Sequence, residues 1–97
     1  MTPAQAWELR RFLEAFDEWA ELEEPDADLR TMVLAWIFTR AEDPYEGVKR
    51  QPGFPNLWFG RVPRTQREWE VVVCSYWIME QEHAVRCDRI ATLNSPV

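Results

Sequence analysis

The sequence predicts an α+β fold: two N-terminal helices packed on one face of an antiparallel sheet of about three strands. Three observations lead there. Apolar residues recur at helical spacing over the first forty or so positions. Three β-rich segments follow, separated by short polar connections. The chain has 97 residues, enough for one domain (1–97) and one core, with no room for a second.

The first helix is expected over residues 3–22. Thr2 can cap it, Pro3 suits its first position and Gln5 completes a capping box. Ala6, Leu9, Phe12, Leu13, Phe16, Trp19 and Ala20 fall on one stripe, with Glu8, Arg11, Glu14, Glu18 and Glu21 largely off it. Trp7 projects away from that stripe. Pro25 then breaks the chain, and Asp26 or Asp28 can cap a second helix. Leu29, Met32, Val33, Leu34, Trp36, Ile37 and Phe38 cover nearly its whole circumference, the pattern of a helix buried on all sides between the first helix and the sheet.

Residues 43–55 form a loop, with turn chemistry concentrated at Pro52-Gly53. Strands are expected over 57–62, 69–79 and 84–93, rich in β-branched and aromatic residues. The last two form a hairpin through Glu80 to His83. If Glu80-Gln81 is the turn, Cys74 lies opposite Cys87; a four-residue loop offsets them by one pair. Alternation then sorts the faces. Val72, Cys74, Ile78, Val85, Cys87, Ala91 and Leu93 should meet the helices. Trp69, Val71, Val73, Ser75, Trp77, Arg86, Asp88, Ile90 and Thr92 should form an open face.

Composition narrows the function classes. The net charge is −6, which opposes general nucleic-acid binding. The charge is segregated, however. Residues 8–28 carry Glu8, Glu14, Asp17, Glu18, Glu21, Glu23, Glu24, Asp26 and Asp28 against Arg10 and Arg11. Residues 49–67 carry Lys49, Arg50, Arg61, Arg64 and Arg67 with no acid. No apolar run approaches a membrane span and no signal-peptide pattern opens the chain, so a cytoplasmic setting without membrane contact is expected. Cys74, Cys87 and the one histidine, His83, form no zinc motif, and no metal or cofactor is expected. In a reducing compartment both cysteines should be free thiols, packing as small hydrophobes.

Six tryptophans are more than a domain of this size buries completely, and exposed indoles mark interfaces. Trp58, Arg61, Trp69, Trp77 and Arg86 are therefore the candidate binding residues. Arginine beside aromatics can hold phosphates and stack on bases; the plainer alternative is a solvated loop balancing the acidic helix. Arg61, Tyr76, Arg86 and Arg89 are the candidate catalytic groups, able to hold a phosphate and stabilise developing charge. The competing reading makes Arg86 and Asp88, two apart on one strand face, a surface ion pair. His83, alone in a loop, is read as structural. The acidic face of the first helix is read as solvated.

The stretch Asp43-Pro44, then residues 57–62 (Leu57-Trp58-Phe59-Gly60-Arg61-Val62), then 71–76 and 85–90 resembles the RelE/ParE superfamily of small bacterial toxins. That resemblance implies a toxin that acts as a ribosome-dependent ribonuclease or on DNA gyrase and is held by an antitoxin. In it, Arg61 matches a basic residue of the first hairpin strand, Tyr76 an aromatic residue of the next, and Arg86 or Arg89 a basic residue of the later strands. Three features differ from the family pattern: no strand is expected before the first helix, the chain is acidic, and the late lysine or histidine is missing from residues 92–95. These favour a noncatalytic or protein-targeting relative. A protein partner, either an antitoxin or a host target, is expected, with RNA or ribosome contact disfavoured by the charge. The alternative is a non-enzymatic interaction module or phage-type regulator.

Overall fold

The computed structural model describes residues 5–94. Its elements are β1 (Glu8–Arg10), α1 (Phe12–Glu23), α2 (Ala27–Thr39), β2 (Lys49–Arg50), β3 (Leu57–Arg61), β4 (Glu70–Met79) and β5 (Ala84–Asn94). The five strands form one mixed sheet in the order β1-β5-β4-β3-β2. β1 runs parallel to β5 and the other pairs are antiparallel.

The expectation of about three antiparallel strands is therefore too low. β1 and β2 span three and two residues, too short to show alternation in sequence. The first helix starts later than its stripe suggests. Thr2, Pro3 and Ala4 lie outside the described residues, but Leu9 sits in a strand opposite Val85. Arg11, with φ 64°, takes a left-handed turn before α1 begins. Pairing with β5 outweighs the local helical pattern here. The strand before the first helix, expected to be absent, is present.

Asp26 caps α2 as expected, its Oδ1 accepting from the Leu29 N–H at 2.9 Å. α2 is not buried all round, however. Val33, Trp36 and Ile37 are buried, whereas Phe38 is 55% exposed. Both helices lie on the same sheet face: Phe12 of α1 and Trp36 of α2 each pack on Tyr76 of β4, with ring centroids 5.9 and 6.2 Å away. A two-layer domain offers no third layer to cover the outer side of α2.

The face assignment holds for β4 and changes partway along β5. Tyr76 pairs with Cys87, but Ser75 pairs with Arg89, so Asp88 is an extra residue in a β-bulge. Past it the alternation inverts. Ile90 and Thr92 turn to the helices, Ile90 into the core and Thr92 to accept a hydrogen bond from the Trp19 indole at 2.9 Å. Ala91 and Leu93 turn outward. Cys74 pairs with Ile90, diagonal to Cys87, and the two free thiols lie 3.9 Å apart. Their mutual hydrogen bond and burial push the Cys74 thiol well above its ordinary range.

A basic groove on the open sheet face

The face of the sheet away from the helices can be laid out from strand register. Lys49, Phe59, Ser75 and Arg89 face one another across β2, β3, β4 and β5 in a single row. Arg61, Val73 and Ala91 form the next row. Leu57, Trp77 and Arg86 form a row on the other side. With neighbouring strands ~4.8 Å apart, the Lys49 and Arg89 backbones stand about 14 Å from each other.

Between them lies a groove of about 540 Å³, floored by Phe59, Val71, Val73 and Leu93 and flanked by Lys49, Arg61 and Arg89. Gly60 of β3 sits tightly against the segment before β2: a Cβ there would come within 2.8 Å of Val48 Cγ1. Among the described residues, the ion pairs join Arg10 to Glu8 and Glu82, and Arg11 to Glu18. Lys49, Arg61, Arg86 and Arg89 are in none of them. Four cations on one face without carboxylate partners leave a local positive field on an acidic protein.

Two of the expected site residues, Arg61 and Arg89, meet in this groove. Arg86 and Trp77 share the same face further along, where Phe54 of the β2–β3 loop packs edge-on against Trp77 with ring centroids 6.2 Å apart. The expected Arg86–Asp88 ion pair does not form. Asp88 instead accepts a hydrogen bond from Ser75 Oγ at 2.9 Å, because the bulge turns its side chain over β4. Trp69 is 63% exposed but lies in the turn before β4, off the sheet face.

Tyr76 and Trp58 belong to the covered face, which removes them from the open surface. Trp58 packs edge-on to Tyr45 with ring centroids 5.1 Å apart. Tyr76 is fully buried. Its hydroxyl donates to the Pro44 carbonyl at 2.5 Å and accepts from Arg40 Nη1 at 3.1 Å. Burial pushes its phenol up to about 12, against the opposing pull of Arg40. Arg40 is itself buried, and its partners are neutral: Tyr76, the Glu46 carbonyl at 2.7 Å, Thr39 Oγ1, and the Trp36 ring, 4.4 Å from the guanidinium. His83 stacks on Trp7 with ring centroids 4.0 Å apart.

Sequence reasoning missed Lys49, Phe59, Ser75 and Asp88 as one site. Lys49 stood out as part of a basic stretch, but placing it in the row required β2. Among the described residues, no group of three or more His, Cys, Asp or Glu side chains could hold a metal ion. No helix of the described residues is long and apolar enough to cross a membrane.

The sequence matches no protein-family model and no curated protein. Among solved structures, the fold is similar to that of the Escherichia coli toxin RelE, in a mutant with two arginines replaced by alanine and in the free state. The TM-score is 0.61 over 88% of this chain and 81% of that one, at 14% sequence identity. The chain has a RelE-like α+β fold, with two helices on a five-stranded mixed sheet.

Proposed function

We propose that this chain is a RelE-like toxin-type domain that acts on a macromolecular polyanion, single-stranded RNA, through the groove on its open sheet face, and that a partner protein of the antitoxin kind neutralises it. The observation that carries this reading is the set of unpaired cations, Lys49, Arg61 and Arg89, around a groove with Phe59 in its floor. Cations spaced across a sheet suit successive phosphates, and an exposed ring suits an unstacked base. The acidic α1 lies on the other side, so the charge asymmetry orients an approaching polyanion toward the groove.

A second reading, a non-enzymatic protein-interaction module, draws on the helices. Leu13 and Phe38 are each about half exposed on the helical layer, as an apolar docking surface for another protein requires.

The test is expression in a bacterial host at matched soluble levels, together with RNA binding by fluorescence anisotropy. Wild type should arrest growth, and an Arg61→Ala, Arg89→Ala double variant should not. Three phosphate contacts predict a log K against log salt slope of roughly −2 for a single strand, falling to roughly −0.7 in the double variant. Normal growth with wild type, and no RNA binding, would overturn the proposal in favour of the interaction module.

A further inference from the structure

We infer that Asp88 makes the groove select ribose over deoxyribose, an inference that rests on the groove's being a single-strand nucleic-acid site. The bulge in β5 is its structural origin. Without it Asp88 and Arg89 would point to opposite faces; with it both stand opposite Ser75. Arg86, Asp88 and Arg89 therefore come to one face, and an anionic group stands among cations without neutralising any of them. The groove lining itself contains no acid. The Asp88 carboxylate is tied to the groove through Ser75 of its lining, by the 2.9 Å hydrogen bond from Ser75 Oγ. An ionised carboxylate has about four acceptor sites, so Ser75 leaves most of them for a ligand.

A carboxylate beside a polyanion site repels the ligand unless the ligand brings a proton donor to it. On a nucleic-acid strand whose phosphates are held by the cations on either side, the group between two phosphates is the sugar. Ribose offers a 2′-hydroxyl there, both donor and acceptor, whereas deoxyribose offers only C–H. Asp88 thus rewards RNA with a charge-assisted hydrogen bond and penalises DNA by unrelieved repulsion, discrimination by both attraction and exclusion. Ser75 is a positioning residue that fixes the carboxylate's orientation.

The experiment measures binding of three oligonucleotides of one sequence, RNA, DNA and 2′-O-methyl RNA, to the full chain and to Asp88→Ala. Wild type should bind RNA about tenfold more tightly than either of the others, since one charge-assisted hydrogen bond is worth about that factor. The 2′-O-methyl strand keeps the sugar's shape but cannot donate, so this arm needs no variant to fold. In Asp88→Ala the three affinities should converge to within about twofold, chiefly because DNA binds better. Equal binding of RNA and DNA by wild type, or a preference that survives in a folded Asp88→Ala, would overturn the role of Asp88 while leaving the groove a nucleic-acid site. Failure of wild type to bind any of the three would overturn the groove's proposed function and this inference with it.

Discussion

Replacing Tyr76 with phenylalanine removes one oxygen from the centre of the domain. In the folded protein that oxygen donates to the Pro44 carbonyl and accepts from the buried Arg40 guanidinium. The ring remains, and its contacts with Phe12 and Trp36 need not change. The Pro44 carbonyl loses its donor, at a cost of about 1–3 kcal/mol for a buried orphan. Arg40 keeps the Glu46 carbonyl and Thr39 but loses an acceptor, a bond to a charged group worth about 1.5–3 kcal/mol. Relaxation recovers part of this, so the net loss should be about 2–4 kcal/mol, a large share of the ~5–15 kcal/mol that stabilises a domain. At about 4–8 °C per kcal/mol for a chain of this size, the melting temperature should fall by roughly 10–30 °C.

The same hydroxyl predicts a response to alkali. Burial raises the folded-state pKa from its ordinary 10 to about 12, so folding favours the protonated phenol. That contribution is fully present below pH 10 and is lost as the pH rises toward 12. Two units at ~1.36 kcal/mol each make the loss about 2–3 kcal/mol. Urea unfolding at several pH values checks this: the gap between wild type and Tyr76→Phe should narrow over that window. RNA binding near neutral pH should be unchanged in the folded variant. A Tyr76→Phe protein within about 0.5 kcal/mol of wild type, the range typical of surface changes, would refute the buried Arg40–Tyr76–Pro44 network.

Two further substitutions test packing. Gly60→Ala should cost about 1–3 kcal/mol by urea unfolding, because its Cβ would meet Val48 Cγ1 at 2.8 Å and the Gly47 carbonyl at 3.1 Å; an unchanged midpoint would mean that the loop before β2 yields freely. Trp36→Ala should cost about 3–5 kcal/mol, since the indole is buried against Tyr76 and under Arg40. A melting curve close to wild type would show that the inner side of α2 is not part of the core.

Much of the architecture is legible in local pattern. The caps and apolar spacing of α2, the β-branched run of β4 and the polar connection at residues 80–83 each reflect short-range preferences, which a sequence displays directly. The likeness of element order to RelE/ParE toxins rests on the same signals, and the RelE-like fold agrees with it. Arg61 and Arg89 were recognisable as candidates by residue type and strand position.

What the sequence determined by itself is which of the longer segments are helical or extended, which side of β4 is apolar, and that acid and base are segregated along the chain. Tertiary structure decided the rest. β1 and β2 exist because a longer neighbour supplies their hydrogen bonds; two or three residues have no periodicity of their own. The outer side of α2 is exposed because burial needs a second surface, and the fold has only two layers. The bulge at Asp88 depends on how β5 meets β4, and one extra residue reverses the facing of every side chain beyond it. That shift carried Ile90 into the core, set Asp88 beside Ser75, and brought Arg89 into one row with Lys49, a partner forty residues away on a two-residue strand that pairs with β3.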